Sequence, residues 1–209
     1  MRILALNTVG PTCEAGVWED DSQLSHVQEE MRNGHDKRLP LLTKQAIEEA
    51  NIEFSSIDRV AVVAGPGSFT GVRVGVAFAR GLGVALNVPV VGINSLEAAL
   101  PKGVSGKVLI ALPARRREPD LSWWAQLFDG EQKFGDALEA DRSQMQDLIA
   151  GANHVFGEGL SPIENLNWGE ASPLLSRVAN RAYNTVELDR ADPQYVRAPD
   201  AVPMKKSGD

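Results

Sequence analysis

The run AVVAGPGSFTGVRVGVAFARGLGVAL, residues 61–86, constrains this chain more than any other stretch. Asp58–Ala64 (DRVAVVA) leads into it as a continuous apolar strand, of the kind buried on both faces in a parallel sheet. A glycine-rich turn follows, then a helix to about Leu86, ended by Asn87-Val88-Pro89. Within that helix Gly71, Gly75, Ala79 and Gly83 recur every four residues, and Ala77, Gly81 and Ala85 form a second row. Each helical glycine costs about 1 kcal/mol relative to alanine, so close approach of another backbone must offset the total. Two readings stand. The rows pack tightly inside the chain, or one row meets a helix of another subunit; two rows are more than one packed face requires. Arg73 and Arg80, seven residues apart, share one edge of this helix and could meet acidic groups across such an interface.

The turn itself, Gly65, Pro66, Gly67, Ser68, Phe69 and Thr70, sits where backbone N–H groups can face an anion. It lacks the Lys-Ser/Thr pair of a P-loop, and it lacks the third glycine and the distal acidic residue of a dinucleotide fingerprint. A tight structural turn and an anion or nucleotide contact both remain open.

The chain of 209 residues is 43% hydrophobic, enough for a core in one large or two small domains. The opening apolar run is too short for a secretory signal, and no membrane span is expected, because no stretch approaches about 20 apolar residues. The single cysteine, Cys13, excludes an internal disulfide and fits a reducing cytoplasm. A net charge of −7 makes the chain a poor nucleic-acid binder by itself, so any RNA contact would need a basic partner. The densest basic run, Arg115-Arg116-Arg117, reads as a solvated turn or as an RNA contact.

Strands are predicted at Arg2–Leu6, Glu14–Glu19 and Gln23–Gln28, then an amphipathic helix over Asp36–Asn51 with Asp36 as its N-cap. After the glycine helix come a strand at Val90–Ile93 and a short helix to Leu100, capped by Asn94 or Ser95. The break at residues 101–106 places a boundary between domains 1–103 and 104–209. The second half repeats the order with strands at Lys107–Leu112, Trp123–Phe128 and Gln132–Phe134, a helix at Ser143–Ala150, a strand at His154–Phe156 and a helix at Pro173–Ala182. Trp123 and Trp124 alternate on their strand, one inward and one outward, and the tail from Ala201 reads as frayed.

Catalytic patterns are missing from the sequence. His26, His35 and His154 have no metal-ligand spacing, Ser68 has no neighbouring base, and Cys13 reads as a buried inert thiol. His35 reads as a capping or interface residue. No catalytic residue and no metal ligand is assigned.

The segments ILALNTVG, GHDKRLPLL, VAVVAGPGSFTGVRVGVAFARGLG and VPVVGINSLEAAL, in this order, resemble the bacterial TsaB (YeaZ) family of tRNA threonylcarbamoyladenosine biosynthesis proteins, with GPGSFTGVRVG the most specific part. The resemblance is firm to about residue 100 and weaker beyond, where ALPARRRE and DPQYVRAPDA match in part. It implies an α/β chain of the actin-like/Hsp70/sugar-kinase (ASKHA) fold with two related βββαβα domains. It also implies a non-catalytic partner of TsaD, which transfers threonylcarbamoyl to N6 of the adenosine beside the anticodon in tRNAs reading codons that begin with A. On this basis the interface is expected through helices 36–51 and 71–86, at Leu39, Leu42, Gly71, Arg73, Val74, Gly75, Ala77, Phe78, Arg80, Gly81 and Leu82. The ATPase TsaE completes the assembly, tRNA is reached only through it, and the same surface can serve a homodimer. Two positions depart from the family pattern: Asn7-Thr8-Val9 replaces an Asp-Thr-Ser motif, and Pro113 stands where Asp is expected; residues 115–121 resemble an insertion. A neutral Asn7 is a weaker ligand for a hard cation than a carboxylate. No cofactor is therefore expected to bind independently, and ATP or ADP would touch Asn7, Thr8, Gly65, Pro66, Gly67, Ser68 and Thr70 only within the partner complex. A stand-alone ATPase or kinase of the same fold, and a peptidase, are the competing readings.

Overall fold

The computed structural model describes residues 1–196 apart from 116, 118, 164–166, 172–173 and 187–190. Strands β1 (Arg2–Asn7), β2 (Thr12–Glu19) and β3 (Ser22–Glu30) form an antiparallel meander, turned between β2 and β3 at Asp20 with φ 53°. Helix α1 (His35–Glu49), β4 (Arg59–Gly65), α2 (Phe69–Leu86) and β5 (Val90–Asn94) complete the first half, with β4 and β5 parallel to β1. The sheet order is β3-β2-β1-β4-β5.

The five-residue α3 (Ser95–Ala99) leads to a second sheet of β6 (Lys107–Arg115), β7 (Ser122–Asp129), β8 (Gln132–Ala140), β9 (His154–Gly157) and β10 (Gly169–Glu170). Helix α4 (Arg142–Ala150) joins β8 to β9, held at its start by an Asp141/Gln144 capping box. The order β8-β7-β6-β9-β10 repeats that of the first sheet, with the same two antiparallel and two parallel pairings. The predicted duplication is thus present in the pairing itself. Its asymmetry lies between β9 and β10, where the described residues form no helix like α2.

Several boundaries differ from the sequence expectation. Gly34, at φ 90°, occupies the N-cap of α1, so Asp36 lies inside the first turn. Helix α2 starts at Phe69, before Gly71, because Ser68 caps it by accepting from the Gly71 N–H at 3.3 Å. The strand predicted at Gln132–Phe134 runs on to Ala140 past Gly135, at φ 75°, and β10 carried no sequence signal. Asn94 does cap α3, its Oδ1 accepting from Leu96 at 2.8 Å. Trp123 is fully buried and donates to the Gly159 carbonyl at 3.0 Å, while Trp124 is half-buried.

The boundary at 103/104 separates the two sheets but not the two cores. Helix α5 (Leu175–Asn184) returns to the first sheet and packs on β1, β2, β4 and β5. There it buries Leu175, Val178, Ala179 and Ala182. Helix α3 reaches the other way, placing Leu96, Ala99 and Leu100 with Val108, Ile110 and Phe128 of the second sheet. Arg177 donates to the Ala99 carbonyl at 2.7 Å and Arg181 to that of Glu97 at 3.1 Å, tying the crossing helices together. Consecutive residues Val60–Ala64 are all fully buried, so both faces of the first sheet are covered. Helices α1 and α2, which touch each other, lie on one face and α5 on the other.

Candidate partner interface and interdomain cleft

The first small-residue row of α2 is internal. A side chain at Gly71 would collide with the Thr8 carbonyl oxygen, one at Gly75 with Thr8 Oγ1, and one at Gly83 with Val90. Thr8 also donates from Oγ1 to the Gly71 carbonyl at 2.7 Å, so the end of β1 and the first turns of α2 are in backbone contact. Gly71 and Gly75 are therefore not partner-facing residues, contrary to the expectation above. Leu39 and Leu42 are corrected in the same way: they are 0% and 3% exposed in the core beneath α1. The apolar residue that α1 does expose is Leu41, at 55%.

The second row is uncovered. Ala77, Gly81 and Ala85 are exposed, nothing lies within 4 Å of a Cβ placed on Gly81, and Val84 between them is 85% exposed. Val74, Phe78 and Leu82 border this stripe half-buried. A helix of this composition normally hides such a face. By length and composition alone α2 is also long and apolar enough to cross a membrane. Its first row is nevertheless locked onto β1, β4 and β5, and two arginines interrupt it.

Those arginines have internal partners that local sequence pattern does not reveal. Residues 191–195 cross the ends of β4 and β5: Gln194 donates its N–H to the Ala64 carbonyl at 2.7 Å, and Asn94 donates to Gln194 Oε1 at 2.7 Å. From this strap Asp192 pairs with Arg80, and the Tyr195 hydroxyl accepts from Arg73 Nε at 3.1 Å. Arg73 also lies over the Phe69 ring, 3.8 Å from its centroid, with Tyr195 against the same ring at 5.4 Å.

The glycine turn is packed from several sides. Gly65 has φ 104° with the Gln194 carbonyl beside its Cα, Gly67 abuts Val9, and Ser68 donates its N–H to the Val9 carbonyl at 3.2 Å. Pro66 has no N–H to offer, while Ser68 and Thr70 reach solvent. These contacts account for the glycines structurally.

Between the two sheets lies a cleft of about 460 Å³, lined by Asn7, Thr12, Glu14, Glu158, Trp168 and Arg177 among others. Glu14 is 7% exposed, and its carboxylate accepts from Asn7 Nδ2 and Thr12 Oγ1, both at 2.8 Å, with His26 Nε2 at 3.1 Å on its other oxygen. Asn7 Oδ1 in turn accepts from the Val9 N–H at 3.1 Å. Thus Asn7 is held at the cleft floor by groups on both sides. Among the described residues no three His, Cys, Asp or Glu side chains gather as metal ligands would. Cys13 is buried, and burial, with the charges of Glu29 and Glu14, pushes its thiol up to about 11. Arg115 approaches Glu139 at 3.6 Å, and Arg116 lies outside the described residues, as does the tail from Ala201. Glu14, Trp168 and the strap were missed in the sequence because β-strand spacing and a weakly patterned C-terminus do not show which residues meet.

Two copies of one strand order, facing each other across a cleft and exchanging helices, define an actin-like (ASKHA) α/β protein. Residues 25–120 match the family described as "TsaD: tRNA N6-adenosine threonylcarbamoyltransferase". The chain is 32% identical over 130 residues to tRNA threonylcarbamoyladenosine biosynthesis protein TsaB of Escherichia coli, an alignment spanning 60% of this chain and 54% of that protein. It is 31% identical over 209 residues to an uncharacterized protein of Mycobacterium tuberculosis, covering 97% of this chain and 94% of that one. The solved structure of YeaZ from Pseudomonas aeruginosa has the same fold, with a TM-score of 0.66 at 21% identity over 93% of this chain and 99% of that chain. Together these likenesses support a TsaB/YeaZ-type protein.

Proposed function

We propose that this chain is a non-catalytic accessory subunit in tRNA threonylcarbamoyladenosine formation, docking on a TsaD-type transferase through the uncovered face of α2 beside α1. The observation that carries this reading is the exposed stripe of Ala77, Gly81, Val84 and Ala85, bordered by half-buried Val74 and smooth enough for a partner helix to approach closely. The related transferase supplies the chemistry, the ATPase TsaE acts on the assembly, and tRNA is held through the complex, in keeping with the net charge of −7. The setting is the cytoplasm. In this reading the cleft needs no nucleotide of its own: Asn7 replaces the carboxylate that would attract Mg²⁺, and any ATP or ADP contact belongs to the complex. A free chain would use the same stripe to form a homodimer.

Reconstitution tests it. TsaD, TsaE, the enzyme that makes threonylcarbamoyl-AMP, its substrates and unmodified tRNA are combined with and without this chain. Modified adenosine is then quantified by mass spectrometry. Modification that requires the chain supports the reading; equal modification without it overturns the accessory role.

A further inference from the structure

Helix α2 carries two arginines and no acidic residue, and both arginines lie on the edge of its uncovered face. Arg80 meets only one carboxylate among the described residues, that of Asp192, and only through Nη2. Its Nε–H is buried with no acceptor among the described residues, so the planar guanidinium fork is half used. Asp192 comes from the strap, and its side chain is 75% exposed with Arg80 as its ion-pair partner. Releasing it to water therefore sacrifices little desolvated contact. The strap itself is anchored elsewhere, by Gln194 on Ala64 and Asn94, so Asp192 can leave Arg80 without the strap leaving the sheet.

Resting on the docking reading above, we propose that Asp192 is an internal stand-in for an acidic side chain of the partner. Docking on the apolar stripe brings a partner carboxylate onto Arg80 and displaces Asp192; as Asp192 leaves, the guanidinium turns so that Nε, buried in the free chain, is presented together with Nη2. The exchange conserves the number of ion pairs and gains the unused Nε–H. It makes Arg80 a determinant of partner choice: a helix with an apolar face and one flanking Asp or Glu fits, and one with a flanking Lys or Arg is repelled.

The test is calorimetric binding of the full chain to the TsaD-type transferase at low and at moderate salt. Asp192→Asn should tighten binding about two- to fivefold, the scale of an exposed ion pair. Arg80→Gln should weaken it about tenfold or more, since the partner's carboxylate is then left unpaired. The double variant should bind like Arg80→Gln alone. In ¹⁵N-labelled protein the Arg80 Nε–H resonance, identified by its loss in Arg80→Gln, should move downfield on complex formation. Unchanged or weaker binding by Asp192→Asn, while the wild type binds, overturns the exchange and leaves the docking reading intact. Failure of both wild type and Asp192→Asn to bind overturns the docking reading and the exchange with it.

Discussion

Asn7 donates through Nδ2 to Glu14 Oε1 at 2.8 Å, joining the end of β1 to β2 at the floor of the cleft. The amide gives the buried Glu14 carboxylate a donor there, beside Thr12 Oγ1 and with His26 Nε2 on its other oxygen. An aspartate at position 7 would set a second carboxylate against Glu14 Oε1 and remove the Nδ2 donor that now meets it. Asn7→Asp should therefore destabilise the fold by about 2 kcal/mol at pH 7, measured by urea unfolding. Added Mg²⁺ that restored stability at pH 7 would show that the variant had regained a cation site.

The two glycine rows should respond oppositely. Gly75→Ala forces Thr8 away from α2 and should cost about 1–3 kcal/mol in thermal unfolding, as overpacking does. Gly81→Leu meets open space and improves helix propensity by about 0.5–1 kcal/mol, so the fold should be as stable or more stable. Its effect should fall on docking, weakening the transferase complex about tenfold or more by calorimetry. Normal binding by Gly81→Leu would remove the stripe from the interface.

Cys13 should be inert to thiol reagents in the folded protein at pH 8 and should react only on unfolding. Its thiol, pushed up to about 11 from an ordinary value of 9.0, favours the protonated form in the native state. The sign follows directly: this contribution is constant below about pH 9 and falls as pH rises towards 11. Cys13→Ala should flatten that alkaline loss in a stability–pH profile.

Arg177 links the two halves by donating to the Ala99 carbonyl. Arg177→Met leaves that carbonyl without its donor and should cost about 1 kcal/mol. Amide exchange should accelerate in α3 and α5 before it does in the sheets. Equal exchange in wild type and variant would mean that apolar packing alone holds the crossing.

The duplicated strand order, the buried β4, the glycine turn and the helix after it are all legible in the sequence, because periodicity and turn residues are local properties. The same local rules assign Gly71, Gly75, Leu39 and Leu42 to an apolar helix surface without saying which side of that surface meets the sheet. Only tertiary packing decides this, since it depends on where Thr8 and Val90 come to lie. The return of α5 to the first sheet and the pairing of Arg80 with Asp192 across 112 residues are likewise beyond local pattern. Both are set by the chain's need to cover a sheet buried on two faces, and that need is met by whichever distant segment the fold brings back. The sequence by itself thus determined most of the elements, their order and the family resemblance; the tertiary structure decided which small residues are core, which remain uncovered, and which charges are already taken.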